Sequence, residues 1–330
     1  MSEHWARPKV RASPPAWIAI DCTNFAGLSH LDEELTAEAA SLVRASVAPA
    51  SARAFRGDIA QFLAWGGALP SSPAKIASYI ADHASVHAVA TIQRRVASIS
   101  KAHEMAGHPN PCRSETVKAT LRGLRRVKGT TQRQAKPLLR DDLFLALDVM
   151  GDRVRDHRDR VLLLLGFAGG FRRSELVALS VNDLQPVREG LVVTIRRSKT
   201  DQEGAGRRIG VPLGRTRHCP VKALESWFAT AMIVDGPVFR PITRHGSVGG
   251  ERLTGDAVSS LVRERVAAAG IDAEGYSGHS LRAGFATSAA QAGVSTLKIR
   301  AQTGHATDAM LARYIRDGEL FVGNAAGALL

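Results

Sequence analysis

Cysteine is scarce: Cys22, Cys112 and Cys219 are the three in 330 residues. They are odd in number and far apart, with no C-x-x-C pair and no His/Cys metal spacing. Neither a disulfide framework nor a zinc site is supported, and a reducing compartment fits. Acidic residues are also short, 31 against 44 lysines and arginines, a net charge of +13. That surplus points to a polyanionic partner, nucleic acid or an acidic membrane surface. A basic protein with no such partner is the plainer alternative, because net charge bears on non-specific binding and not on fold. Long apolar runs are missing too. The longest, Val161 to Gly170, is too short to span a bilayer and reads as a buried helix. Met1 to Pro8 lacks the charged-then-apolar pattern of an export signal, so the expected location is the cytoplasm. No basic helix interleaved with aromatics argues for a membrane surface, and no membrane partner is expected. Tyrosine is rare, at positions 79, 276 and 314.

Hydrophobic residues, at 45%, suffice for packed cores. Residues 1–33 hold Pro8, Pro14 and Pro15, show little periodicity, and read as a mobile arm. From Leu35 the spacing becomes helical. Phe55, Ile59, Phe62 and Leu63 share one face, and Ile76, Tyr79 and Ile80 follow Pro73, which suits a first helical position. Val89, Ile92, Val96 and Ile99 form a third stripe, and Val117, Leu121 and Leu124 a fourth. Residues 34–128 are thus expected to be a small helical domain. Its end is dense in cations, including Arg94, Arg95, Lys101, Arg122, Arg125 and Arg126, opposed between Arg94 and Arg140 by Glu104 and Glu115. Such a surplus suits phosphate contacts; a solvated helix face is the bland reading. Residues 129–137, polar with Gly129 and Pro137 at the ends, read as a linker. The second domain, 138–330, opens with helices. A β-rich run, Leu191 to Arg197, and Arg207 to Pro212 then signal a hairpin, and helices return to the end. The expected class is mainly α with a small β-sheet.

Five segments of this second domain carry residues suited to chemistry, and none decides alone. In Gly170-Phe-Arg-Arg-Ser-Glu-Leu176, Arg172 and Glu175 sit at i, i+3, so one carboxylate can orient one guanidinium. As an isolated pair this is a surface ion pair of little worth. Lys199 lies near the hairpin turn, where a lysine can reach across a groove, although an exposed hairpin lysine is usually only solubilising. His279-Ser-Leu-Arg282 sets an imidazole and a guanidinium side by side at a helix start, which suits an anion. Gly304-His305 and Tyr314 complete the series; a tyrosine in a late amphipathic helix is more often a core residue. What changes the weighing is the set, two arginines, a lysine, two histidines and a tyrosine in one order on one domain of a basic chain.

That order, with Tyr314 nine residues after His305 and followed by Ile315-Arg316, resembles the tyrosine recombinase (phage integrase) family, in its Cre-like branch. The resemblance spans the second domain nearly end to end, and the first domain is similar to the family's helical core-binding domain. It implies that Arg172, Lys199, His279, Arg282, His305 and Tyr314 are catalytic, with Glu175 supporting Arg172. Arg173 directly follows Arg172, and a slip of one would make Arg173 the catalytic arginine; the spacing to Glu175 favours Arg172.

The implied reaction is strand transfer through a 3′-phosphotyrosine on Tyr314. Covalent catalysis splits one displacement into two nearly isoenergetic ones, and neither metal nor ATP is called for. Double-stranded DNA is the implied partner, with a homo-oligomer on it, a tetramer in the synaptic complex. The C-terminal tail, Glu319 to Leu330, is expected to pack on a neighbouring subunit. A DNA-binding protein without catalysis and a type IB topoisomerase are the alternative readings of the same residues.

Overall fold

The computed structural model describes residues 36–129, 134–196 and 206–319. The expected arm at 1–33, Lys199 in its turn, and the tail from residue 320 lie outside them. The chain divides into two compact units, with the boundary after Gln132. Among the described residues, no helix is long and apolar enough to cross a membrane.

The first unit is helical throughout: α1 (Ala37–Ala45), α2 (Pro49–Ala64), α3 (Pro73–His83), α4 (Val89–Met105) and α5 (Glu115–Lys128). Local chemistry starts these helices. Pro73 occupies the first turn of α3, behind Ser72, whose hydroxyl accepts the Lys75 N–H, and Ser114 caps α5 through the Val117 N–H. The core is built from the expected stripes. Phe55, Ile59 and Phe62 meet Ile76, Tyr79 and Ile80, and both meet Ile92, Val96, Ile99, Val117 and Leu124. Burial of each such side chain contributes about 1.5–3 kcal/mol, which outweighs the modest propensity differences along these helices.

The second unit runs α6 (Arg140–Asp148), α7 (Val154–Ala168), α8 (Arg173–Ala178), β1 (Leu184–Val187), β2 (Gly190–Ile195), β3 (Arg207–Pro212), α9 (Pro220–Ala231), α10 (Gly255–Ala268), α11 (His279–Gln291), α12 (Thr296–Thr303) and α13 (Asp308–Glu319). It is the mainly α class with a small sheet. The strands form one antiparallel sheet in the order β1-β2-β3, with Leu191 opposite Val211 and Val193 opposite Ile209. Strand β1 was not legible in the sequence. It is four residues long with mostly exposed side chains, and it carries Pro186, which only an edge strand accommodates. Helix α7 is the centre of this unit. Val161 to Leu165 are buried in unbroken succession because α9 and α11 both pack on it.

The connection between the units is shorter than 129–137. Lys136 N–H donates to Gly275 O at 2.9 Å and Leu138 N–H to Ser280 O at 3.0 Å. Leu138 is wholly buried against α11, where a Cβ on Gly284 would sit 1.7 Å from the Leu138 carbonyl oxygen. Residues 136–138 are therefore part of the second unit, with Leu138 in its core.

Candidate active site

Helix α7 stops at Gly169-Gly170, where Gly170 takes a φ of +57°. The reversal delivers Arg172 to the position just ahead of α8. Glu175, in the first turn of α8, accepts the Arg172 backbone N–H at 3.0 Å and its Nη1 at 2.6 Å. The i, i+3 pair thus closes as its spacing implied, but in a buried setting: Glu175 is 3% exposed. Its second oxygen also accepts Arg207 Nη2, at 3.0 Å, from β3. Arg173 turns away, toward Asp256 at 2.9 Å, with half its side chain exposed.

Three guanidinium groups converge on the C-terminus of α12. Arg207 Nη1 donates to Gln302 O at 3.1 Å, Arg282 Nη1 to Thr303 O, and Arg172 Nη2 to Gly304 O at 3.2 Å. Arg282 Nη1 also reaches Gly170 O at 2.8 Å. A helix end leaves its last carbonyls without intrahelical partners and carries partial negative charge. Here those carbonyls and one carboxylate gather three cations into a small volume. Burial, then the neighbouring Arg172, pushes Arg282 down to about 10, so it stays charged at neutral pH. Burial likewise lowers Arg207 from its ordinary value.

Gly304 makes this approach possible. It caps α12 in the left-handed region with φ +66°, and a Cβ there would lie 2.1 Å from Arg207 Nη1. Gly304→Ala is expected to cost about 1–2 kcal/mol for the backbone conformation alone, and to displace Arg207 from Gln302 O. A shifted denaturant midpoint checks the first effect.

His279 and Arg282 open α11 and face the same centre. His279 Nε2 lies 2.9 Å from Tyr314 Oη, which comes from α13. Tyr314 is 8% exposed and packs on Ala283, Ala286, Ile299 and Leu311, with the His305 ring centroid 5.8 Å from its own. Burial, then Arg282, Arg172 and Arg313, lowers His279 from its ordinary 6.5. Burial among Arg282, Arg172, His279 and Arg207 pushes His305 down to about 3. Both imidazoles are therefore neutral at neutral pH, so the positive charge of the centre rests on the arginines. Among the described residues, no group of three His, Cys, Asp or Glu side chains is placed to hold a metal ion.

Of the expected residues, Arg172, Glu175, His279, Arg282, His305 and Tyr314 are brought together from four separate segments, and Lys199 lies outside the described residues. Arg207 and Thr303 belong to the same cluster and were missed. The signal for Arg207 was present: in β3 it shares the inward alternation of Ile209 and Val211.

These residues fall within a match to the model of the phage integrase family, which spans residues 138–319. The chain is also 40% identical over 304 residues to the integrase/recombinase xerD homolog of Selenomonas ruminantium, covering 89% of each.

The chain belongs to the phage integrase family.

It is a tyrosine recombinase, of the DNA strand transferase class. The similarity to the recombinase cre of Escherichia phage P1 is 26% identity over 268 residues, 75% of this chain and 77% of that one. Two solved structures share the fold. XerH site-specific recombinase bound to its palindromic difH substrate, a post-cleavage complex, has a TM-score of 0.58 at 16% identity, covering 88% of this chain and 82% of that one. A lambda integrase dimer on a COC' core site (residues 75–356) has a TM-score of 0.58 at 18% identity, covering 82% and 90%.

In the first unit, the cations expected to meet DNA separate into kinds. Arg95 requires correction. It is 5% exposed, carried inward with Ile92, Val96 and Ile99, and Nη1 donates to Tyr79 Oη at 3.5 Å, so it is a core residue and not a surface cation. Arg94 is half-exposed and tied to the buried Asp58 at 2.6 Å, and Lys101 is half-buried. Arg122, Arg125 and Arg126 are exposed on α5, with Arg122 paired to Glu115.

Proposed function

We propose that this recombinase cuts and rejoins double-stranded DNA through Tyr314, with Arg172, Arg282 and His305 holding the scissile phosphate. The observation that carries the proposal is the 2.9 Å contact between Tyr314 Oη and His279 Nε2, beside two guanidiniums anchored on one run of carbonyls. A phenol has an ordinary pKa of about 10 and is a weak nucleophile at neutral pH. A neutral imidazole in hydrogen-bond reach can accept its proton as the oxygen attacks phosphorus. The O5′–P bond breaks as the Tyr314 O–P bond forms, leaving a 3′-phosphotyrosine and a 5′-oxygen that takes a proton from Lys199. The 5′-hydroxyl of a partner strand reverses these steps and restores the phenol. Charge growing on the non-bridging oxygens meets the planar forks of Arg172 and Arg282, preorganised by Glu175 and the α12 carbonyls.

Arg122, Arg125 and Arg126 on α5 are suited to phosphate contacts that set position rather than read bases. The lambda integrase dimer on its core site supports a homo-oligomer on DNA for this chain, and a tetramer in the synaptic complex completes the proposal. The enzyme works on DNA in the cytoplasm.

The test is an SDS-resistant protein–DNA adduct, formed when the full chain meets nicked fragments of the replicon that carries its gene. A protein that only binds DNA leaves none. A topoisomerase relaxes supercoils without a preferred site, whereas a recombinase gives adducts at one mapped position. Lys199→Ala is expected to slow adduct formation about 10²–10⁴-fold, the usual worth of a positioned acid. A substrate with sulfur at the leaving 5′ position should recover most of that loss, since a thiolate needs no proton to depart. Failure of the sulfur substrate to recover the rate would remove Lys199 from the acid role.

A further inference from the structure

Thr303 is wholly buried at the last position of α12, and the mechanism above gives it no task. Its hydroxyl makes two short contacts, 2.7 Å to Ile299 O and 2.8 Å to His305 Nδ1. A hydroxyl has one proton, and a carbonyl oxygen can only accept. The two contacts are both hydrogen bonds under a single assignment: Thr303 donates to Ile299 O, and His305 Nδ1–H donates to Thr303. The reverse assignment, Thr303 donating to a bare Nδ1, would leave two oxygens facing each other at 2.7 Å without a proton between them.

We infer that Thr303 is a positioning residue that holds His305 as the Nδ1–H tautomer, so that in the free protein the remaining nitrogen, Nε2, is an acceptor. The inference rests on the proposed role of His305 at the scissile phosphate and alters how that role is filled. A bare Nε2 repels a phosphate oxygen, so His305 engages substrate only after Nε2 gains a proton. Arg282 and His279 from α11, Arg172 ahead of α8, Arg207 from β3 and Tyr314 from α13 all face this ring, and the cations among them oppose a further positive charge. An entering phosphate supplies the negative charge that offsets them. The imidazolium then formed donates from Nε2 to the phosphate and from Nδ1 to Thr303, whose own hydroxyl goes on donating to Ile299 O. The proton comes from solvent, and Thr303 supplies the acceptor that the second N–H needs.

The test uses full-length protein labelled with ¹⁵N-histidine, free of DNA, near neutral pH. His305 is assigned among the 11 histidines as the signal lost in His305→Gln. Wild type is expected to show a protonated Nδ1 and a bare Nε2. Thr303→Val, which keeps shape and loses the hydroxyl, should shift the ring toward Nε2–H, and Thr303→Ser should restore Nδ1–H. Without the hydroxyl an imidazolium would bury an Nδ1–H that has no acceptor, so the ring of Thr303→Val meets the phosphate as a neutral Nε2–H donor; adduct formation should fall about 10-fold, the difference between a charged and a neutral donor, and recover in Thr303→Ser. A wild-type His305 carrying its proton on Nε2 overturns the inference, whether or not the variants fold, and so does a tautomer unmoved in Thr303→Val. If wild type gives the expected tautomer and no adduct on any fragment, the proposed function fails while the assignment of Thr303's hydrogen bonds stands.

Discussion

Tyr314→Phe is expected to abolish the covalent adduct outright while leaving DNA binding and folding in place. The substitution removes one oxygen and its 2.9 Å contact with His279. A neutral hydrogen bond of that kind contributes about 0.5–1.5 kcal/mol net, too little to unfold a domain whose ring stays packed on Ala283, Ala286 and Leu311. No other phenol can substitute. Tyr79 lies in the core of the first unit and is 0% exposed. Tyr276 is 2% exposed, with its hydroxyl pushed up to about 12 by burial and by Asp142. Gel-shift binding alongside SDS-resistant adduct yield separates the two functions. An adduct persisting in Tyr314→Phe would assign the nucleophile elsewhere. The same assay as a function of pH reports on His279. Its lowered pKa keeps it neutral, and able to accept the phenol proton, as pH falls through the ordinary 6.5. The acid limb of wild-type cleavage at sub-saturating DNA is therefore expected below that value.

Arg282→Lys is expected to slow cleavage by about 10²–10³-fold, the loss associated with one preorganised donor to a developing oxyanion. The substitution keeps a positive charge, yet an ammonium on a flexible stem has no planar fork. Arg282 is 1% exposed and one of its nitrogens serves both Gly170 O and Thr303 O, so it fixes the end of α7 to the end of α12 while its charge faces the centre. Two readouts divide these duties. A lower melting temperature reports the lost carbonyl contacts, and single-turnover adduct formation at a temperature where the variant is folded reports the chemistry. A rate within about threefold of wild type in the folded variant would deny Arg282 a part in stabilising the transition state.

Much of the helical framework could be read from spacing. The stripes Phe55-Ile59-Phe62 and Ile92-Val96-Ile99 lie in the core of the first unit because a 3.6-residue period leaves little other way to bury them. The β2–β3 pair was legible for the same reason at period two. Arg95 shows where such reading fails. Density of charge along the chain says nothing of which face a residue occupies, and Arg95 sits on the apolar face of α4 beside the Tyr79 hydroxyl. Strand β1 failed differently, since an exposed four-residue edge containing Pro186 has no periodicity to detect. Arg207 was passed over because its partner, Glu175, lies 32 residues away.

The order of residue types from Arg172 to Tyr314, and the cationic surplus, were set by the chain alone, and they sufficed to name a chemistry. Separating Arg172 from Arg173 in space, giving Arg207 a place, and setting the Thr303 hydroxyl against His305 Nδ1 belonged to the tertiary structure. The physical reason is that a helix end exposes carbonyls in a direction fixed only by packing. Three guanidiniums from distant segments found their acceptors on Gln302, Thr303 and Gly304, and no local pattern encodes where those carbonyls point.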